Sequence, residues 1–264
     1  MKGKTDTKRK VPRRLMNKAR NRRMLPEKSA REIVLESDWK PKTTLGKQVL
    51  EGKVTDINQI FEKGIKISEP QIVDLLLPNL KNEIIYIGGS SGKGGGIRRT
   101  ASKRTTRMHK SGRRFRVTVM VVVGNENGYV GVGVGAGPPG KHRDVIDKAI
   151  QKAKLNLIPV RRGCGSWECG CGTMHSIPFE SFGKCASVKI KLMPAPKGIG
   201  LTVSNEIKKV MRLAGISDIW CKSRGQRSTR MNLIRAVFNA LKNINDYRLE
   251  PEKEEELGII TGKV

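Results

Sequence analysis

The stretch Phe115–Gly135 (FRVTVMVVVGNENGYVGVGVG) constrains the fold of this chain more than any other part of the sequence. Its first half is rich in valine, its second half alternates glycine with valine, and Asn127-Gly128 lies between them. Asn-Gly tolerates positive φ and is typical of a tight hairpin turn. The stretch therefore predicts two antiparallel strands, which other elements must cover on at least one face.

Apolar periodicity predicts the elements that pack around this hairpin. Residues 69–80 form a short helix that begins near Pro70, residues 84–87 form a strand, and residues 142–157 form an amphipathic helix. We expect the amphipathic helix to cover one face of the sheet and the opposite face to stay free. The mixed segment further upstream predicts short helices broken at Gly46, Gly52 and Gly64.

A second set of elements follows a cysteine-rich segment. Alternating apolar residues predict a strand over Ala186–Leu192, and Ser204 can cap a helix that ends before Gly215. A further strand over Asp218–Cys221 and a helix over Thr229–Asn243 complete a β-α-β-α unit. The chain is therefore expected to be an α+β protein with two domains.

The segment between Ile84 and Asn125 contains no Asp or Glu but many basic residues. The charges begin in a glycine-rich loop, which we expect to be flexible, and end on the hairpin, which is rigid. Such cations neutralise phosphates and release counterions, so they bind nucleic acid without reading its bases. The free face of the sheet would then meet RNA. The candidate RNA-binding residues are Lys93, Arg98, Arg99, Lys103, Arg104, Arg107, Lys110, Arg113, Arg114 and Arg116.

The overall composition supports a polyanionic partner. The chain has 53 Lys+Arg against 24 Asp+Glu, a net charge of +29 and a pI near 10.3. An anionic membrane is disfavoured as the partner, because neither a basic amphipathic helix nor a lipid anchor is evident. Aromatic residues make up 4% of the chain, too few for stacking on single-stranded bases, so folded RNA fits best. The charged N-terminus is unlike a signal peptide, which favours a cytoplasmic protein.

Three cysteines and a histidine lie close together between the two predicted domains: Cys164, Cys169, Cys171 and His175. Three thiolates and an imidazole make a complete set of ligands for tetrahedral zinc. Idle thiols and a redox or catalytic cysteine remain alternatives, because the spacing is not the usual paired C-x-x-C. Cys185 is a reserve ligand, whereas Cys221 is expected to pack in an apolar strand.

Three glycine-rich motifs resemble the phosphate-binding loops of enzymes. IGGSSGKGG lacks the first glycine and the magnesium-binding hydroxyl of a nucleotide phosphate loop. Gly131, Gly133 and Ala136 have dinucleotide-fingerprint spacing, but we expect the glycines to serve strand twist or a close approach of RNA. PAPKGIGL resembles the phosphate loop of galactokinase-like kinases, with Leu201 and Thr202 in place of the serines of that family.

Five motifs follow one another in the order of a known family: SGRRFRVTVMVVVGNENGYVGVGVG, LNLIPVRRGCGSWECGCGTMHSIPF, GKCASVKIKLMPAPKGIGL, LAGISDIW and GQRSTRMN. Together they resemble the family of the fifth protein of the small ribosomal subunit. The segment WKPKTTLGKQVLEGKVTDINQIFEKG and the cysteine cluster are similar to its archaeal form, so that the resemblance extends over about residues 39–241.

This resemblance implies a fold, a function and partners. The N-terminal domain would be similar to double-stranded-RNA-binding folds (α-β-β-β-α), and the C-terminal β-α-β-α domain would have a left-handed crossover. The family binds small-subunit rRNA near the third, fourth and eighth small-subunit proteins, helps to form the mRNA entry channel, supports decoding accuracy and has no enzyme activity. By motif, the residues that would approach rRNA are Lys110, Gly112, Arg113, Arg114 and Arg116.

We therefore expect five regions. They are a disordered basic arm (1–38), an RNA-binding domain (39–160), a Cys/His linker (161–180), a second domain (181–246) and a solvated acidic tail (247–264). The expected function is that of an rRNA-binding structural component of the small ribosomal subunit, with structural zinc and no small-molecule substrate. The alternatives are a zinc-containing nucleic-acid-binding factor outside the ribosome and a galactokinase-like kinase.

Overall fold

Three short helices pack together at the start of the described chain. The computed structural model describes residues 39–91 and 96–262, so the predicted basic arm and Lys93 lie outside the described residues. The helices are α1 (Thr44–Leu50), α2 (Ile57–Glu62) and α3 (Pro70–Leu76). Their buried side chains form one cluster with Tyr129 and Leu157. Gly52 and Gly64 follow α1 and α2 with positive φ, as expected, but Gly46 lies inside α1, so the predicted break there is wrong.

An antiparallel sheet follows the helices. Its strands are β1 (Lys81–Ile85), β4 (Ser102–His109), β5 (Gly112–Gly124), β6 (Tyr129–Gly137) and β7 (Leu157–Pro159). The order is β1-β5-β6-β7. Strands β4 and β1 share the same edge of β5: β4 pairs with its first half and β1 with its second half. The hairpin prediction is confirmed. The turn is Asn125–Gly128, with positive φ at Glu126 and Gly128. The predicted strand at 84–87 is displaced, since β1 ends at Ile85.

The glycine-rich basic segment is more ordered than the sequence indicates. On either side of residues 92–95, which the structure does not describe, β2 (Gly88–Ser91) and β3 (Ile97–Thr100) pair as a hairpin. The next residues form β4, which is polar except for Met108 and exposed along most of its length. No apolar alternation marks these strands, and β4 is held by its backbone pairing with β5. The prediction of a flexible loop is therefore wrong for the described part of this segment.

Helix α4 (His142–Leu155) lies very close to β6. A Cβ atom on Gly131, Gly133 or Gly135 would stand 2.1–2.2 Å from a carbonyl oxygen of the helix. The glycines therefore accommodate the backbone of α4, and the expectation that they allow a close approach of RNA is wrong. Valines of β5 at positions 117, 119, 121 and 123 pack with α4 on this face.

The opposite face of the hairpin is also covered. Met120, Val122, Val130 and Val132 belong to one buried cluster with residues of α5 (Asn205–Leu213) and the second domain. The backbone N–H of Glu126 donates to the carbonyl oxygen of Leu213 at 3.0 Å. The prediction that this face stays free for RNA is wrong, because the second domain packs against it.

The second domain contains more strands than predicted. It consists of β9 (Ser181–Cys185), β10 (Val188–Pro194), β11 (Leu201–Thr202), α5, β12 (Ile219–Arg224) and α6 (Arg230–Ile244). The sheet order is β11-β12-β10-β9, and β11 runs parallel to β12 with α5 between them in sequence. The predicted helices are confirmed, whereas β9 and β11 were missed. The left-handed crossover stays a prediction.

The acidic C-terminal segment folds back onto the rest of the protein. It forms α7 (Pro251–Glu256) and β13 (Ile260–Thr261), and β13 pairs with β8 (Arg161–Arg162) in the connection between the domains. The glutamates of this segment are mostly exposed, in line with the prediction of a solvated tail, whereas the pairing of β13 was not predicted. Along the described chain, no helix is both long and apolar enough to cross a bilayer.

Replacing Gly133 with alanine should lower the free energy of unfolding by roughly 2–3 kcal/mol. The added Cβ would stand 2.1 Å from the carbonyl oxygen of Ala149, and no side-chain rotation relieves that overlap. Gly96→Ala is the control, since its Cβ would meet nothing within 4 Å. Denaturant unfolding of both variants measures the difference, and equal stabilities would contradict the assigned helix–sheet contact.

Candidate nucleic-acid interface and metal cluster

Strands β4 and β5 form a two-stranded ribbon that extends past the rest of the sheet. Strand β6 pairs with β5 only from Val117 onward, so residues 112–116 of β5 pair with β4 alone. At about 3.3 Å per residue, the overhang is roughly 17 Å long. We call β4, the first five residues of β5 and the turn between them the basic ribbon. Gly112 begins β5 with a φ of 100°.

The basic ribbon is charged on both faces. Residues directly opposite in an antiparallel pair share a face. Arg104, Arg113 and Phe115 share one face, where the Arg104 guanidinium lies 3.9 Å from the centroid of the Phe115 ring. The other face carries most of the charge, contributed by Lys103, Arg107, Arg114 and Arg116. A phosphate backbone could therefore contact the ribbon from either side.

The cations of the ribbon have no acidic partners among the described residues. No carboxylate oxygen there lies within 4.0 Å of their nitrogen atoms. Arg107 and Arg114 stand directly opposite each other, a like-charge pair that lowers the stability of the isolated ribbon. Such a pair is favourable only where a polyanion neutralises it.

The structure contains a second basic surface, which was not predicted from the sequence. Arg99 of β3 lines a cleft together with Lys208, Arg227 and Arg230 of the second domain. Glu206, which is 6% exposed, pairs with Arg230 at 2.5 Å. Of the predicted RNA-binding residues, Arg98 and Arg99 lie on β3 of the β2–β3 hairpin and not on the ribbon itself. The basic motif GQRSTR was a sequence signal for the other side of this cleft.

The structure brings all four predicted metal ligands together. The ligand atoms of Cys164, Cys169, Cys171 and His175 lie within 4.8 Å of one another. The Cys171 and Cys164 Sγ atoms are 3.5 Å apart, and Cys169 Sγ lies 3.9 Å from His175 Nε2. Tetrahedral zinc, with bonds of about 2.0–2.3 Å, separates its ligand atoms by roughly 3.5–3.8 Å. The donor set therefore fits zinc, and the two distances lie at or just above this range.

The environment of the cluster differs from one ligand to the next. Burial raises the pKa of the Cys164 thiol, whereas hydrogen bonding with Thr173 lowers the pKa of Cys171 to about 6. His175 is 8% exposed, and its Nδ1 lies 3.0 Å from Oδ2 of Asp218. Asp218 is 43 residues away in sequence, and no local pattern linked it to the cluster.

The remaining cysteines lie elsewhere. Cys185, the reserve ligand, ends β9 and packs against the main hydrophobic cluster, so it is not near the four ligands. Cys221 also packs against that cluster, as expected, and burial raises the pKa of its thiol to about 11. None of the five cysteines forms a disulfide.

The PAPKGIG loop is not arranged as a phosphate loop. The backbone N–H groups of Gly198 and Gly200 donate to Oδ1 of Asp218 at 3.2 and 2.7 Å. A carboxylate of the protein therefore takes the donors that a bound phosphate would need. The geometry argues against the kinase alternative.

Fold and site together define a basic, two-domain α+β protein that presents paired strands of unneutralised arginine. Residues 99–161 match the family model described as ribosomal protein S5, N-terminal domain, and residues 183–255 match ribosomal protein S5, C-terminal domain. The chain belongs to the ribosomal protein S5 family, whose members are structural components of the small ribosomal subunit and not enzymes.

Three similar proteins, each named small ribosomal subunit protein uS5, come from archaea. The relative from Methanocaldococcus jannaschii is 48% identical over 230 residues, which are 86% of this chain and 97% of that protein. The relative from Methanococcus vannielii is 46% identical over 91% of this chain and its own full length. A third, from Pyrobaculum calidifontis, is 46% identical over 80% of this chain and 96% of its own.

Replacing Arg114 with glutamine should raise the free energy of unfolding of the RNA-free protein by about 0.2–1 kcal/mol, because it removes the like-charge pair with Arg107. Arg113→Gln is the control, since Arg113 stands opposite the uncharged Met108. Thermal unfolding at low and high salt measures both. Added salt should stabilise the unaltered protein more than the Arg114 variant, and an equal gain in both would contradict the repulsion.

Proposed function

We propose that this chain binds small-subunit rRNA chiefly through the basic ribbon, and that it does so by neutralising phosphates and fitting the shape of folded RNA. The observation that carries the proposal is the set of cations on both ribbon faces that lack a carboxylate within 4.0 Å in the described structure. Isolated like charges repel one another, and contact with phosphate removes that cost.

The β2–β3 hairpin and the cleft beside it extend this surface toward the second domain. Arg99, Arg227 and Arg230 line the cleft, and the ion pair of Arg230 with Glu206 holds one of these guanidinium groups in place. A strand of nucleic acid that follows both surfaces would contact both domains. We therefore propose that the rigid packing between the domains sets the path of the RNA.

Membership of the family supports a finer assignment. We propose that the chain contributes to the mRNA entry channel and to decoding accuracy, next to the third, fourth and eighth small-subunit proteins. A photo-crosslinker at Arg227, which lines the cleft, should capture mRNA downstream of the decoding site in assembled subunits. Crosslinks to rRNA alone would contradict the mRNA contact without affecting rRNA binding.

Changing Arg113, Arg114 and Arg116 to glutamine should weaken rRNA binding and reduce the slope of log affinity against log salt by about 0.7–0.9 per lost phosphate contact. The matched control removes the same charge from the exposed side of α4 through Arg143, Lys148 and Lys152. An equal loss of slope in both variants would mean that net charge, and not the ribbon, carries the affinity. Circular dichroism checks that both remain folded.

We also propose that Cys164, Cys169, Cys171 and His175 hold one structural zinc ion. Support comes from the convergence of their ligand atoms to within 4.8 Å and from the absence of disulfides among the cysteines. All four tetrahedral positions would be filled by protein, which leaves no place for a water nucleophile, so the role is structural.

Elemental analysis of the purified protein should return about one zinc per chain. Cys169→Ser should remove it and increase protease cleavage between Arg162 and Ile177, because the glycine-rich loop has little apolar core of its own. Cys185→Ser is the control and should keep the zinc, since Cys185 lies outside the cluster. Metal-free protein with unchanged protease resistance would show that packing alone holds the loop.

A further inference from the structure

Asp218 is a buried carboxylate whose two oxygen atoms contact different parts of the protein. The residue is 4% exposed and directly precedes β12. Its Oδ2 lies 3.0 Å from His175 Nδ1, and its Oδ1 accepts hydrogen bonds from the N–H groups of Gly198 and Gly200. The carboxylate therefore connects the metal cluster to the loop at residues 195–200.

The contact with Asp218 selects one state of the His175 ring. An ionised carboxylate can only accept hydrogen bonds, so Nδ1 must carry the proton that it donates. In a neutral imidazole Nε2 then keeps its lone pair, as a metal ligand must, and Nε2 is the nitrogen that faces Cys169 Sγ at 3.9 Å. A metal-binding histidine commonly donates its second ring N–H to a carboxylate, which fixes the ring orientation and strengthens the ligand.

The backbone reinforces this arrangement. The carbonyl oxygen of His175 accepts hydrogen bonds from the N–H groups of Ser217 at 2.9 Å and Asp218 at 3.0 Å. Histidine and aspartate are thus joined through both main chain and side chain. Their relative position does not depend on the long stretch of sequence between them.

We infer that Asp218 is a positioning residue of the metal centre, and that it transmits metal occupancy to the loop at 195–200. This rests on the proposed zinc site. The loop leads directly into β11 and the start of α5, and residues 201–208 line the cleft that also contains Arg99, Arg227 and Arg230. The metal thereby holds one wall of the basic cleft in place.

A purely structural carboxylate would behave differently. If Asp218 only stabilised the loop, the exchange of the Gly198 and Gly200 amide protons would not respond to metal, and zinc affinity would not depend on Asp218. Asparagine separates the two roles. Its amide oxygen can still accept from both glycines, but its amide nitrogen is a donor and cannot accept the proton of Nδ1.

Asp218→Asn should weaken zinc binding by roughly 10- to 100-fold, measured by competition with a chelating dye on the full chain. Asp147→Asn, on the exposed side of α4, is the control and should leave the affinity unchanged. In the unaltered protein, removal of zinc should speed amide exchange at Gly198 and Gly200. In the Asp218 variant this response should be largely lost.

A second measurement needs no variant and decides the matter if Asp218→Asn does not fold. Nitrogen-15 spectra of the zinc-loaded protein should show His175 protonated at Nδ1 and coordinated through Nε2. Coordination through Nδ1, an unchanged zinc affinity in a folded variant, or amide exchange insensitive to zinc would overturn the role of Asp218 while leaving the zinc site intact. Unaltered protein that binds no zinc would overturn both.

Discussion

The burial of both faces of the β5–β6 hairpin is the constraint on which the rest of the described structure depends. One face packs against α4, which approaches so closely that only glycine fits at positions 131, 133 and 135 of β6. The other face packs against α5 and joins the two domains into one hydrophobic cluster. Because neither face of this region is open, the proposed contact with RNA falls to the parts of the chain that extend beyond it. These are the basic ribbon, the β2–β3 hairpin and the cleft beside α5.

Polar contacts complete the junction between the domains. Arg162 is 4% exposed and donates to the carbonyl oxygens of Asn127, in the hairpin turn, and of Gly215, after α5. The same stretch of chain pairs with β13, and the N–H of Cys164 donates to the carbonyl oxygen of Leu257. The connection between the domains, the C-terminal segment and the cysteine cluster therefore lie next to one another. A metal ion bound there would stabilise the junction between the two domains.

The sequence predicted those elements whose stability is local. The hairpin turn, α3, α4, α5 and α6 have turn or stop residues and apolar periodicity, and all of them formed within a few residues of the expected bounds. Ser204 lies at the N-cap of α5, but its side chain makes no capping hydrogen bond. The sequence did not predict β4, because its residues SKRTTRMH have no apolar alternation. This strand forms because β5 offers an unpaired edge. Nor did the sequence predict β13, a two-residue strand that depends on β8 from a distant part of the chain.

The sequence by itself determined the chemistry: the acid-free basic segment, the three cysteines with their histidine, and the motifs that place the chain in its family. Only the tertiary structure decided how these groups are presented. It placed Arg107 opposite Arg114, divided Arg98 and Arg99 from the ribbon, and brought Asp218 to His175. The physical reason is that composition and periodicity act over a few residues, whereas the orientation of a face and the partner of a buried polar group are set by long-range packing.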